Sequence, residues 1–212
     1  YGIDIASGTI ASTSGVITLT GHGGGNGSGN FNNGIEMDGG SITGGSGAVH
    51  LIGTGGGGGT SIANEGLFMG SGTISSGSGA ITLNGTGGNG LGFDNGILLV
   101  GGTIFSTGSA PIDFTGTAGT SGDAISTSGT IGGASYGSDI TFHNAVTLFN
   151  TTTVLTSGGT IAFDSTMDGS ASLTANAGAG GTVTFGGKIG NTSPLGNLSI
   201  TADNLTFADN VF

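Results

Sequence analysis

The chain has 212 residues, of which 52 are glycine and two are proline, and it contains no cysteine. Twelve carboxylates oppose a single basic side chain, Lys188, so the formal net charge is −11. This balance excludes disulfides and thiolate metal sites, and it argues against nucleic acid or anionic membranes as partners, because both are bound through Lys and Arg.

Aliphatic and aromatic residues recur at fixed places in this glycine-rich background, which favours an ordered chain. Gly/Ser-rich sequences can be disordered, but disordered segments usually carry many charges, and charged residues make up only 6% here. No apolar run is long enough to cross a bilayer as a helix. The chain begins inside a repeat and ends inside a strand-like run, so we interpret it as a fragment of a longer protein.

Four windows within residues 8–118 align without a gap. They begin at Gly8 (GTIASTSGVITLTGHGG), Gly40 (GSITGGSGAVHLIGTGG), Gly72 (GTISSGSGAITLNGTGG) and Gly102 (GTIFSTGSAPIDFTGTA). A glycine–aliphatic pair precedes each window at a constant distance, and all differences in length fall in a Gly-rich stretch after the window. A fixed core with one variable loop indicates the coils of a solenoid.

Each coil contains three short runs in which apolar and polar residues alternate, such as GIEM, GSIT and AVHLI. Alternation predicts strands with one buried face, and glycines at the corners permit sharp bends. Three short strands in a coil of about 30 residues predict an all-β fold, a right-handed parallel β-helix.

Aligned apolar residues of successive coils should then stack as inward ladders. The first predicted ladder is Ile10, Ile42, Ile74, Ile104, Ile131 and Ile161; the second is Leu19, Leu51, Leu83, Phe114 and Phe142; the third is Ile17, Val49, Ile81, Ile112 and Ile140. Polar residues align at one corner, with Asn32, Asn64 and Asp94 followed by Asn33, Glu65 and Asn95. Asn and Asp accept left-handed backbone conformations, so this corner is predicted to be structural rather than a binding site.

The pattern changes near Ser128, where the long Gly-rich loops disappear and phenylalanine replaces leucine at inward positions. We interpret residues 1–212 as one β-helix, with regular coils and long loops over 1–127 and trimmed loops over 128–212.

The repeats SGVITLTGHGG and SGAITLNGTGG, together with GTVTFGGKIGNTSPLGNLSITADNLTF, resemble those of filamentous-haemagglutinin-like and autotransporter-type bacterial surface adhesins. This resemblance extends over nearly the whole chain. It implies a β-helix exported across an outer membrane, located at the cell surface or outside the cell, that serves as a stalk or adhesive fibre.

Catalytic, metal and cofactor signatures are weak, and we assign no residue to any of these roles. Glycosidase chemistry needs two carboxylates facing one groove; Asp4 and Glu36 align on neighbouring coils, whereas Asp164 and Asp168 read as a turn. The three histidines, His22, His50 and His143, share no column and have no metal-ligand spacing.

Three functions therefore remain open. The first is a structural segment of an extracellular stalk or fibre, whose partners are neighbouring coils of the parent chain or copies of itself stacked end to end. The second is a glycan- or surface-binding module, with ice binding less favoured because the outward column Thr18, His50, Thr82, Asp113 is irregular. The third is a polysaccharide-active β-helix enzyme.

Overall fold

A computed structural model describes residues 1–25 and 27–212, and all regular structure in this part of the chain is β-strand. Seventeen strands form one sheet in which every strand pairing is parallel, as in a parallel β-helix solenoid. The first ten strands are β1 (Ile3–Ile5), β2 (Thr9–Ala11), β3 (Ile17–His22), β4 (Ile35–Thr43), β5 (Val49–Thr54), β6 (Leu67–Ser76), β7 (Ile81–Thr86), β8 (Ile97–Leu99), β9 (Thr103–Ser106) and β10 (Ile112–Thr117). The others are β11 (Ile125–Gly132), β12 (Ile140–Phe142), β13 (Val146–Leu155), β14 (Thr160–Phe163), β15 (Met167–Asp168), β16 (Ser172–Phe185) and β17 (Asn197–Phe207).

The number of strands differs from coil to coil, so the expectation of three short strands in every coil is too simple. The first part of β4 pairs with β1 and its last part with β2, so two strands of one coil become a single strand in the next. The corner between the two parts persists as a register shift between Met37 and Ser41. Gly40 lies at this corner with a φ of 66°, in the left-handed region that suits a residue without a Cβ.

The coils become shorter along the chain. Hydrogen bonds between equivalent positions span 32 residues at Asn33–Glu65, 28 at Asn95–Asp123 and 21 at Asp139–Thr160. The ladder that begins at Ile3 continues through β4, β6, β8, β11, β13 and β15 to Val211, and it has eight steps. At about 4.8 Å a step, the coils advance about 38 Å along the axis.

The interior consists of stacked apolar ladders. The first ladder follows the register Ile10, Ile42, Ile74, Ile104 and Ile131, and then continues as Val154, Ala175 and Ile200. Ile161 does not belong to this ladder, contrary to the alignment of the Gly-Thr-Ile letters: it pairs with Ile140 and Val183, in the third ladder. The shorter coils explain the difference, because the Gly-Thr-Ile spacing from Ile131 to Ile161 exceeds one trimmed coil.

The second ladder changes from leucine to phenylalanine where the coils shorten. Phe114, Phe142, Phe163 and Phe185 are fully buried, and their rings stack at centroid distances of 4.7, 4.8 and 5.2 Å with nearly parallel planes. Phe207 extends the stack at 5.1 Å from Phe185. Burying each such side chain contributes roughly 1.5–3 kcal/mol, so this column is a large part of the core of the later coils.

Candidate functional site: a lateral groove and two open ends

A groove of about 400 Å³ runs along the outer side of the first coils. Its floor is formed by outward side chains of paired strands, with Glu36 on β4, Phe68 on β6 and Leu98 on β8 in direct register. These residues alternate with the buried core ladders, so the rigid sheet fixes their positions. We call this feature the lateral groove.

The wall of the lateral groove comes from the loops that precede β4, β6 and β8. Phe31, Ala63 and Phe93 occupy equivalent positions in successive coils and line the groove. The loops stack through backbone hydrogen bonds: Phe31 N donates to Ile62 O (3.1 Å) and Ala63 N donates to Gly92 O (2.9 Å). The three wall residues have φ values of 59°, 59° and 56°, a region that a bulky side chain rarely adopts.

A column of polar side chains supports this wall. Asn32 Nδ2 donates to Asn64 Oδ1 (2.8 Å), and Asn64 Nδ2 donates to Asp94 Oδ1 (2.7 Å). The backbone N–H of Gly90 donates to the other oxygen of Asp94 at 2.7 Å. The predicted corner column therefore exists, but the left-handed backbone lies one residue earlier, at the wall residues, and not at Asn or Asp.

Two carboxylates beside the wall have raised pKa values. Burial raises the pKa of Glu36, although a hydrogen bond from Asn33 Nδ2 to Glu36 Oε2 (2.6 Å) partly opposes this effect. Glu65 is only 2% exposed and still lines the groove. Burial, together with the negative charges of Asp94 and Glu36, raises the pKa of Glu65 to about 7.

Sequence reasoning found the polar corner but missed the groove. The signal available was the presence of a phenylalanine directly before Asn32 and again directly before Asp94, in otherwise glycine-rich loops. Because those loops differ in length, the two phenylalanines align only when the polar corner is used as the reference point.

The two ends of the rod form a second kind of surface. β17 pairs with β16 on one side, and on its other side Leu205 and Phe207 are exposed. At the opposite end, Ile10 and Leu19 are only partly buried, although their counterparts in the next coil are fully buried. Each end therefore presents an open strand edge together with apolar ladder residues.

The carboxylates considered for catalysis lie in several different places. Asp4 and Glu36 are register partners on neighbouring strands. Asp168 is predicted to lie in a turn, but it is part of β15, and its carboxylate accepts backbone N–H groups of Thr192 (2.7 Å) and Ser193 (3.1 Å) in the next coil.

His143 lies between two carboxylates on the surface. Its Nδ1 is 2.9 Å from Asp164 and its Nε2 is 3.4 Å from Asp113, and all three side chains are partly exposed. Exposed pairs of this kind contribute little to stability. Among residues 1–25 and 27–212, no group of three or more His, Asp or Glu side chains is arranged to hold a metal ion.

Comparisons with protein-family models, curated proteins and solved structures found no match to this chain. Within the described part of the chain, there is also no helix with the length and apolar character needed to cross a membrane.

Proposed function

We propose that this chain is a structural segment of an extracellular bacterial adhesin stalk or fibre. The observation that carries the proposal is the unbroken parallel register that runs from Ile3 to Val211, because every coil repeats the same ladders and the rod grows by stacking coils. Further coils, or a second copy of this chain, would bury the open strand edges at both ends.

The hydrogen bonding and composition of the rod suit a load-bearing role outside the cell. Every coil is joined to its neighbours by continuous parallel hydrogen bonding, so a bending force is resisted along the whole rod. Lys188 is the only basic side chain, which leaves trypsin-like proteases a single cleavage site. The charge of −11 keeps the sides of such rods apart, so contact between copies is favoured at the ends.

The experiment is a direct fusion of two copies. In a fusion without a linker, the same number of residues separates Val211 of the first copy from Ile10 of the second as separates Ile189 from Ile200 within one coil. The junction therefore has the length of the corresponding stretch of a natural coil. We expect the maximum dimension from small-angle X-ray scattering to grow by about 38 Å relative to the single copy, as for one continuous rod. Backbone amides of β17 in the first copy should also exchange more slowly than in the single chain.

Phe207→Glu in the first copy places a charge at the junction and should break the continuous rod. The matched control is Phe149→Glu, which changes an exposed residue on the side wall and should leave the rod intact. Two copies that scatter as jointed beads, with β17 exchanging as fast as in the single chain, would contradict the stalk proposal.

A glycan- or surface-binding module is the second candidate, and the lateral groove is the observation that favours it. Binding at the groove and a stalk role are compatible, because the groove lies on the side of the rod and the stacking surfaces lie at its ends.

A further inference from the structure

We propose that the lateral groove binds a small organic cation, an alkylammonium or quaternary ammonium group, between exposed phenylalanine rings and buried carboxylates. The site does not depend on the stalk proposal: Tyr1 of the first coil also lines the groove, but the apolar ladder residues at the two ends, such as Ile10 and Phe207, do not.

The wall residues are the first observation. Phe31 and Phe93 expose 55% and 68% of their surface while their backbones remain in the left-handed region. Glycine adopts this conformation without strain, and this chain uses glycine at 52 positions, yet it has phenylalanine at these two. Strained backbone at an exposed aromatic residue indicates that the ring itself has a role there.

The spacing of the wall is the second observation. Phe31 and Phe93 are two coils apart, which is about 10 Å, and the small side chain of Ala63 lies between them. This arrangement leaves a gap between two aromatic residues above an apolar floor of Phe68 and Leu98. A methylated ammonium group is attracted to aromatic faces and fits a gap of this size.

The charge of the groove is the third observation. Glu36, Asp38 and Glu65 line it, and its lining contains no Lys, Arg or His side chain. Glu65 is almost fully buried, and the charges of Glu36 and Asp94 act on it, so its ionised form is disfavoured. A bound cation would offset this repulsion, whereas an anionic ligand would add to it.

The test uses choline as the probe and its uncharged isostere, 3,3-dimethylbutan-1-ol, as the matched ligand. Calorimetric titration of the intact chain at pH 8 should show saturable choline binding, with the isostere weaker by about tenfold or more, in the range of a desolvated cation–π contact. Phe93→Ala should weaken choline binding by about tenfold. Phe149→Ala, which removes an exposed phenylalanine outside the groove, should leave binding unchanged.

Glu65→Gln gives a second variant that keeps the shape of the side chain and should also weaken choline binding, while circular dichroism verifies that both variants are folded. Equal affinity for choline and its isostere, or an equal loss in Phe149→Ala, would overturn the cation site. Stronger binding of methyl glucoside than of choline would also overturn it, in favour of a neutral sugar groove. Once choline binding is established, sedimentation with phosphatidylcholine vesicles distinguishes two sources of the ammonium group. Binding to the vesicles that is lost in Phe93→Ala would assign the group to a lipid headgroup. No binding to the vesicles would assign it to a free amine.

Discussion

Truncation of the phenylalanine ladder should cost much more in the middle of the rod than at its end. Phe142 is fully buried, and its ring stacks on Phe114 at 4.7 Å and on Phe163 at 4.8 Å. Phe207, in the last strand, is 40% exposed and stacks on one ring only. We compare Phe142→Ala with Phe207→Ala because the two positions belong to the same ladder.

The expected magnitudes follow from burial and from the number of stacked neighbours. Replacing a fully buried phenylalanine by alanine costs about 3–5 kcal/mol, which includes the cavity left in the core. Each stacked aromatic pair adds about 0.5–1.5 kcal/mol beyond burial, and Phe142→Ala loses two pairs whereas Phe207→Ala loses one. Because the measured range for Phe→Ala already includes lost stacking, two lost pairs place Phe142 in its upper part, at about 4–5 kcal/mol, whereas partial exposure and a single pair give about 1–2 kcal/mol at Phe207. Phe142→Leu should cost about 1–2 kcal/mol, because Leu83 fills the same ladder in an earlier coil.

The assay is urea unfolding followed by circular dichroism, combined with native-state hydrogen exchange. Exchange is needed because solenoids can unfold in segments, and a single free energy of unfolding then describes only part of the rod. In Phe142→Ala, amides of β12 and β14 should lose protection while those of β3 and β5 keep it. Equal losses in Phe142→Ala and Phe207→Ala would refute the argument that stacking on both sides determines the cost.

Three further predictions concern single side chains. The pKa of Glu65 is about 7 in the folded state and near 4.5 in the unfolded state, so the folded state holds a proton that the unfolded state has lost between these pH values. The free energy of unfolding should therefore fall by up to about 3 kcal/mol as the pH rises from 4.5 through 7. Urea titrations at pH 5 and pH 8 measure this fall, and Glu65→Gln should remove it. Gly85→Ala should prevent normal folding, as measured by circular dichroism, because the new Cβ would lie far inside contact distance of the Gly96 carbonyl oxygen. The control is Gly24→Ala, which has open space around the new Cβ and should have little effect. Equal effects of the two substitutions would contradict this reason. Thr127→Val should stabilise the fold by about 1 kcal/mol, because the buried Thr127 hydroxyl has no hydrogen-bond partner. Thr152→Val should destabilise the fold by a similar amount, because it removes the 3.0 Å hydrogen bond from the Thr152 hydroxyl to the Thr127 carbonyl. Urea midpoints that shift in the same direction in both variants would contradict this argument.

The ladders of the first coils could be predicted from the sequence because the repeated windows align without gaps. Residues at the same place in each window must then be register partners, as Ile42 and Ile74 are. The prediction for Ile161 is wrong because one trimmed coil ends well before this residue. The stretch between the second ladder and the next coil is long from Leu19 to Ile35 but very short from Phe142 to Val146. The Gly-Thr-Ile motif that ends at Ile161 lies in β14, which pairs with the strand of Ile140. The same motif occurs in the first ladder, so it does not distinguish the first ladder from the third.

The lateral groove was harder to predict, because it depends on loops of unequal length and on burial. The sequence shows Glu65 as one more corner residue, and only the packed coils reveal that it is almost fully buried beside Asp94 and Glu36. The left-handed backbone at Phe31 and Phe93 contradicts residue preference, so composition alone predicts the opposite.

The contrast between the early and late coils separates two physical tasks. A rod needs only inward ladders and parallel hydrogen bonds, and the coils after Gly132 provide both with as few as 21 residues between equivalent positions. The lateral groove also needs its wall, and this wall is formed by loops that contribute nothing to the ladders. The first coils have enough chain for these loops, because 32 residues separate equivalent positions there, and the loops place Phe31 and Phe93 beside the floor. Loop length can therefore vary between coils without altering the rod, so the rod and the groove can change independently of each other.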